Sequence, residues 1–122
     1  MTDREMLELA AKAIGCDGAK FEDGEWLELR YGYKVAMWHD DFDSYWNPLE
    51  SNANAFALAV KLGLDLLRTE QDIEAIAGLP PYAPMGRDVP APFGIELLGD
   101  DAYAATRRAI TRAAAEIGKG MP

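Results

Sequence analysis

Cysteine and histidine are almost absent from this chain, which has one of each, Cys16 and His39. A single cysteine excludes an internal disulfide, and without a Cys-x-x-Cys pair there is no standard zinc framework. No apolar run reaches the ~18 residues needed to cross a bilayer, and the first residues predict a helix, not an export signal. We therefore expect a soluble protein of a reducing cytoplasm that does not interact with membranes.

Positive charge is also scarce. Twelve Lys and Arg residues stand against 21 Asp and Glu residues, giving a net charge of −9. This balance disfavours direct nucleic-acid binding, because contacts to phosphates require basic side chains. An acidic domain is instead suited to basic protein surfaces, although the charge can simply keep the protein soluble. The charge is uneven: residues 17–50 hold nine acids and three bases, and residues 101–122 hold two acids and four bases.

The 122 residues have the length of one domain, and 49% of them are hydrophobic, enough for a sizeable core. A Thr2–Glu5 capping box and a Gly15 stop predict a first helix over residues 3–14. The capping and apolar patterns predict two more main helices, from Ser51 or Asn52 to 63 and from Asp100 or Asp101 to 117. A shorter helix is predicted from Thr69 to Ala77, because Asp72 follows Thr69 at capping spacing.

Alternation of side chains predicts the strands. We expect two strands at residues 26–31 and 33–38, then further strands at 64–68 and 93–98, with a loop or short irregular strand at 16–24. Five of the seven prolines fall in residues 79–92, which predicts a long surface loop, and the Pro-rich segment as a whole is placed at about residues 69–92. This order predicts an α+β fold: a small α-β-α sandwich with an antiparallel or mixed sheet of about four strands and three main helices.

Two helices have apolar faces that predict burial. The second main helix is apolar over so much of its surface, Phe56 and Val60 included, that we expect it to be well buried. The buried stripe of the last helix is predicted to comprise Tyr103, Thr106, Ile110, Ala113, Ala114 and Ile117. Its Arg108, Arg112 and Lys119 are expected on the solvated side.

The turn Trp46-Asn47-Pro48-Leu49 leads directly into the helical pattern of residues 51–63, and an Ala- and Arg-rich helix closes the chain. Together these segments resemble the bacteriophage ABA sandwich domain family. The resemblance covers residues 46–64 and 100–118. It implies α-β-α layering and a phage or prophage origin, and it brings no catalytic motif.

Aromatic residues are dense between residues 26 and 46: Trp26, Tyr31, Tyr33, Trp38, Phe42, Tyr45 and Trp46. They either pack under the helices or form a binding face with acidic neighbours. The predicted partner-binding residues are Tyr33, Trp38, Asp40, Asp41, Phe42, Asp43 and Tyr45. Residues 39–43 also hold metal-ligand types, but they match no calcium loop, and we predict neither a metal nor a cofactor.

Two further surfaces are candidates. Tyr82, Met85 and Arg87 lie in the Pro-rich loop and offer a second contact surface. Arg107, Arg108 and Arg112 are candidates for anion binding, with a purely solubilising role as the alternative. No carboxylate pair, activated nucleophile or Gly-rich phosphate loop is evident, so the sequence predicts a non-enzymatic protein.

The predicted function is that of a phage-encoded accessory protein in the host cell cytoplasm, which binds a host or phage protein complex. Its most specific form is an inhibitor of a host defence or nucleic-acid-handling complex, as an anti-CRISPR protein is. The first alternative is a binder of a small nucleotide signal, in which aromatic rings stack on the base and arginines contact phosphates. The second is a structural or assembly factor. The sequence leaves the oligomeric state open, because the aromatic sheet and the Ala-rich helix could each support a homodimer.

Overall fold

The computed structural model describes residues 1–42, 44–76 and 93–122. These residues contain four helices: α1 (Asp3–Ala13), α2 (Glu25–Tyr31), α3 (Asn52–Leu62) and α4 (Ala102–Lys119). They also contain five strands: β1 (Lys20–Asp23), β2 (Val35–Trp38), β3 (Asp65–Arg68), β4 (Asp72–Ile76) and β5 (Phe93–Leu97). The predicted α+β class is confirmed, and the arrangement is consistent with a small α/β sandwich. None of the helices in the described ranges combines the length and apolar character needed to cross a membrane.

The strands divide between two antiparallel sheets, where one sheet of about four strands was expected. Strand β1 pairs with β2, so that Phe21 lies opposite Met37. Strands β3, β4 and β5 form the second sheet in that order, which leaves β3 at an edge. Ile73 and Ala75 on the central strand are buried, and β4 and β5 pack against α4.

Helices α1 and α4 form the main helix pair of the core. The predicted cap at Thr2 is confirmed, since its hydroxyl accepts a hydrogen bond from Glu5 N at 3.1 Å. The Glu5 carboxylate accepts from the Thr2 hydroxyl at 3.2 Å, and not from the Thr2 backbone N–H as in a complete capping box. The apolar face of α4 is built from alanines, all buried: Ala105, Ala109, Ala113, Ala114 and Ala115. Such small side chains let the backbones approach closely, so a Cβ added at Gly118 would overlap the carbonyl oxygen of Leu9 on α1.

Residues 25–31 form helix α2, so the prediction of a strand at 26–31 is wrong. Gly24 precedes the helix, and Gly32 ends it in the left-handed region, where its N–H bonds to Glu28 O at 2.9 Å. Only Leu27 is buried on this short helix. Because only one position of α2 has to be apolar, its sequence does not show apolar residues at helical spacing. The apolar-polar alternation at these positions therefore does not reflect a strand. The partner of β2 is therefore β1, which realises the short strand considered for residues 16–24.

Residues 72–76 form strand β4, so the prediction of a short helix at 69–77 is also wrong. The Thr69 hydroxyl does accept hydrogen bonds from the backbone N–H groups of Gln71 and Asp72. The N–H of Thr69 in turn bonds to the Asp72 carbonyl at 2.9 Å, which closes a hairpin between β3 and β4. A Ser/Thr turn and a helix cap use the same local hydrogen bonds, so the spacing alone does not distinguish them.

Helix α3 is half exposed, contrary to the expectation of thorough burial. Ser51 caps it as predicted, and Ala55, Leu58 and Ala59 are buried. Phe56 and Val60 point into solvent, with Phe56 71% exposed. Helix α4 has a similar exception, because Tyr103, predicted in its buried stripe, is 72% exposed.

The Trp46–Leu49 turn joins β2 to α3. Trp46 is buried in the core and forms an isolated antiparallel bridge with Met37. Asn47 is almost fully buried, and its amide nitrogen donates to the Val35 carbonyl at 2.7 Å. The turn is therefore tied to β2 by main-chain and side-chain hydrogen bonds.

Candidate functional site

Four aromatic rings form one continuous cluster beside α2. The Tyr45 ring is central, with centroids 4.7 Å from Tyr31, 5.2 Å from Trp38 and 5.6 Å from Trp26. Trp26 and Tyr31 also meet edge to face at 6.5 Å. These distances and tilts are those of favourable aromatic pairs, so the rings hold one another in place.

The cluster is open to solvent on the side of α2. Trp26 is 49% exposed and Tyr31 is 39% exposed, and Leu29 on the same helix is exposed almost completely. Carboxylates flank the rings on β1 and α2. We call this region the acidic-aromatic surface and define it as Glu22, Asp23, Glu25, Trp26, Glu28, Tyr31, Trp38 and Tyr45.

Glu22 connects the acidic and aromatic parts of this surface. Its side-chain hydrogen bond with the Tyr45 phenol, aided by desolvation and by the negative charge of Glu22, raises the pKa of Tyr45 to about 12. Oε2 of Glu22 is buried and has no hydrogen-bond partner among the described residues. The contact between Glu22 and the Tyr45 phenol therefore joins the ring cluster to β1.

The predicted partner-binding residues separate into several environments. Trp38 and Tyr45 belong to the ring cluster, whereas Phe42 stacks on Trp46 at 5.1 Å and packs against the core. Asp40 is exposed, and Tyr33 is half-buried between α2 and β2. Asp41 turns toward His39, as described below, and Asp43 lies outside the described residues.

Trp26 and Tyr31 are the most accessible rings of the cluster, yet they were left out of the predicted partner-binding set. In a strand they would point to opposite faces, since one is at an even and the other at an odd position. In helix α2 both reach Tyr45. Gly24 and Gly32 could have indicated the helix in the sequence, because glycines at both ends are typical of a short, capped helix.

The three candidate anion-binding arginines do not form one patch. Arg107 donates to the Leu49 carbonyl (2.9 Å) and to Asn52 Oδ1 (2.7 Å), which ties α4 to the start of α3. Arg108 lies 3.0 Å from the Asp3 carboxylate. Arg108 and Arg112 also approach Glu96 Oε1 at 3.5 and 3.4 Å, distances that pair the charges without forming a hydrogen bond. All three guanidinium groups are thus engaged within the chain.

A shallow apolar groove lies between α3, α4 and β3. Phe56, Leu66 and Tyr103 line it, and Arg107 stands at its rim. Its volume is about 200 Å³. The other named surface, with Tyr82, Met85 and Arg87, lies outside the described residues.

Three side chains with metal-ligating atoms meet near the end of β2. Cys16 Sγ, a ring nitrogen of His39 and a carboxylate oxygen of Asp41 all lie within 4.8 Å of one another. Burial raises the pKa of the Cys16 thiol, the Asp41 charge adds to the rise, and Lys61 opposes it.

No protein-family model, curated protein or solved structure matches this chain significantly. The resemblance to phage ABA sandwich proteins stays a prediction from the sequence.

Proposed function

We propose that this protein is a non-enzymatic binding protein whose acidic-aromatic surface docks on a basic face of a partner protein. The supporting observation is the cluster of four mutually packed rings, from which Trp26 and Tyr31 emerge half exposed. A partner that covers these rings removes their apolar surface from water, which favours binding by ~25 cal/mol for each Å² covered.

The cluster has the composition of an interface centre. Binding energy concentrates in a few Trp, Tyr and Arg side chains, and rigid rings lose little conformational entropy when they are covered. The flanking carboxylates of Glu25 and Glu28 are exposed, so they select partners of positive charge and accelerate the encounter. The net charge of −9 acts in the same direction over longer distances.

The resemblance to phage proteins extends this proposal to a biological role. A phage accessory protein in the host cytoplasm would meet host complexes whose basic surfaces normally hold nucleic acid. Covering such a surface inhibits the complex, as an anti-CRISPR or another counter-defence protein does. In the alternative structural or assembly role, the acidic-aromatic surface would bind a phage protein instead of a host complex.

The test uses immobilised full-length protein in lysate of the host, with and without infection. Wild type should retain a complex that is released by salt, because screening weakens charge-assisted docking. A Trp26→Ala/Tyr31→Ala double variant should lose it. The matched control is Phe56→Ala/Tyr103→Ala, which removes two exposed rings from the apolar groove and should retain it.

The purified complex then separates the inhibitor role from the assembly role. Wild type should block its nucleic-acid binding or cleavage if the protein is an inhibitor, and the Trp26→Ala/Tyr31→Ala variant should not. A charge-reversal variant, Glu25→Lys/Glu28→Lys, should also fail to block the nucleic-acid binding or cleavage. Retention of the same partner by both surface variants would refute the proposed docking surface.

The apolar groove favours a second candidate, the binding of a small nucleotide. Phe56 and Tyr103 are exposed rings on which a base can stack, and Arg107 uses two of its five N–H donors within the chain. The groove is smaller than the ~300 Å³ at which ligand pockets usually begin, so protein docking is the stronger proposal. Thermal stabilisation by added nucleotides, absent in Phe56→Ala/Tyr103→Ala, would support this candidate.

Self-association is the remaining expectation. The alanine face of α4 packs inside the chain against α1 and the second sheet, so a homodimer would use another surface, such as the exposed rings of α2 or the apolar groove with Phe56 and Tyr103. Sedimentation of wild type and Trp26→Ala/Tyr31→Ala over a concentration series distinguishes a dimer from a monomer.

A further inference from the structure

We propose that Cys16, His39 and Asp41 form a binding site for a zinc ion. The three side chains come from separate positions: the loop after α1, the residue following β2, and the turn beyond it. Their ligand atoms nevertheless lie within 4.8 Å of one another. A thiolate, an imidazole and a carboxylate are the three ligand types that zinc accepts in proteins.

The atoms converge on one point, which is the arrangement of a metal site and not of a catalytic relay. In a Cys-His-Asp relay the thiol and carboxylate contact opposite nitrogens of the imidazole, so sulfur and carboxylate stand about 7 Å apart. Here the Cys16 sulfur and the Asp41 oxygen are within 4.8 Å. The negative charge of Asp41 so close to the thiol also opposes formation of a free thiolate, whereas a divalent cation between them would stabilise both anions.

The backbone holds the two less exposed ligands in place. Cys16 N–H bonds to the Ala11 carbonyl at 2.9 Å, which fixes the loop to the end of α1. His39 directly follows β2, and its carbonyl accepts from Phe42 N at 2.9 Å, closing a turn that contains Asp41. Cys16 is 6% exposed, so one ligand is already desolvated in the folded chain. Such positioning lowers the entropy lost when an ion binds.

Binding requires a modest contraction. Ligand atoms around tetrahedral zinc are about 3.3–3.6 Å apart, as Zn–S and Zn–N bond lengths of about 2.3 and 2.0 Å dictate. The Asp41 side chain is exposed and free to move toward the ion. His39 Nδ1 accepts the Asp41 N–H at 3.0 Å, and coordination through this nitrogen would replace that hydrogen bond. The thiol proton is released to solvent as the thiolate binds.

A polar cavity of about 230 Å³ has one of the three proposed ligands, His39, in its lining. Lys20, Trp38, His39 and Asp40 line it together with Gly18. Three protein ligands leave one tetrahedral position, which water can fill. Calcium and magnesium fit poorly, because both prefer a full set of oxygen ligands.

The test uses the full chain without an affinity tag, stripped with a chelator and then titrated with zinc chloride by calorimetry. We expect one zinc ion per chain. Cobalt chloride is the spectroscopic probe, because a thiolate ligand produces an intense near-ultraviolet charge-transfer band. Cys16→Ser should abolish this band, and His39→Asn should weaken zinc binding at least about tenfold.

Asp41→Asn and Asp40→Asn form the matched pair, since they remove the same charge from neighbouring exposed residues. Asp41→Asn should weaken zinc binding about tenfold or more, and Asp40→Asn should change it little. Circular dichroism checks that the Cys16→Ser variant, which changes a buried residue, is folded. If that variant does not fold, Asp41→Asn still tests the site, because Asp41 is exposed. Absence of a cobalt–thiolate band in wild type, or equal effects of Asp40→Asn and Asp41→Asn, would overturn the proposal.

Discussion

The side-chain amide of Asn47 donates to the main-chain carbonyl of Val35 at 2.7 Å, across twelve residues of chain. The same side chain accepts the N–H of Leu49 at 2.9 Å, and the backbone N–H of Asn47 donates to Asn54 Oδ1 at 2.9 Å. Asn47 is 1% exposed. One buried polar residue thus connects β2, the Trp46–Leu49 turn and helix α3.

Replacing Asn47 with alanine should destabilise the protein strongly. The substitution leaves the Val35 carbonyl and the Leu49 N–H without partners, and an unsatisfied buried group costs about 1–3 kcal/mol. We expect a loss of about 2–4 kcal/mol in the free energy of unfolding, measured with denaturant. Asn52→Ala is the comparison: Asn52 is exposed and accepts one hydrogen bond, from Arg107, so its variant should lose less, about 0.5–1.5 kcal/mol. Equal losses in the two variants would show that Asn47 is not the connecting residue.

Gly118→Ala should be far more damaging than Gly120→Ala. A Cβ at Gly118 overlaps the Leu9 carbonyl, which is backbone and can yield only if α1 and α4 separate. Overpacking of this kind costs about 1–3 kcal/mol or more. A Cβ at Gly120 would lie 3.6 Å from the Ile117 carbonyl oxygen, which is an ordinary van der Waals contact. Thermal denaturation of both variants measures the difference, and similar melting temperatures would contradict the observed helix packing.

Tyr45 should titrate at unusually high pH. Contact with Glu22 raises the pKa of Tyr45 from its ordinary value near 10 to about 12. Subtracting the tyrosinate absorbance curve of Tyr45→Phe from that of wild type isolates this group. Glu22→Gln should return its pKa toward the ordinary value, because the negative charge is removed.

The same shift has a consequence for stability. The folded state favours the protonated phenol, so the contribution of Tyr45 is fully present below about pH 10 and is lost as pH rises through about 12. Between these two pH values, the free energy of unfolding of wild type should fall more steeply than that of Tyr45→Phe. Parallel pH profiles of the two proteins would argue against the Glu22–Tyr45 contact.

Substitutions on α3 should report which of its apolar faces is buried. Leu58 is 2% exposed, and Leu58→Ala should cost about 2–5 kcal/mol in the free energy of unfolding. Phe56 points into solvent, so Phe56→Ala should cost less than about 1 kcal/mol despite the larger side chain. Denaturant unfolding of the two variants provides the measurement. A greater loss in Phe56→Ala would mean that the helix is rotated or that the groove is covered.

Local signals predicted a large part of the fold. Thr2, Ser51 and Asp101 cap α1, α3 and α4 through side-chain hydrogen bonds to residues three positions away. Because these bonds form within one helical turn, sequence spacing is sufficient to locate them. Strands β2, β3 and β5 were also found near their observed positions.

The errors arose where local signals are ambiguous. Thr69 and Asp72 make the expected hydrogen bonds, but these bonds close a hairpin, since the following residues pair with β3 and β5. Helix α2 carries one buried residue, Leu27, and so has no apolar periodicity for the sequence to display. In both cases the conformation depends on which distant segment lies alongside.

The candidate sites show the same division. Composition alone located the acidic and aromatic residues between 26 and 46, and the basic partner predicted from them stays a prediction. Only tertiary structure placed Trp26 and Tyr31 together on Tyr45, and only tertiary structure brought Cys16 to His39 and Asp41. Caps and turns follow from bonds between near neighbours in the chain. The contacts between distant side chains depend instead on which face of each helix and strand is buried. That choice is made by the packing of all the elements together, so short-range sequence patterns do not determine it.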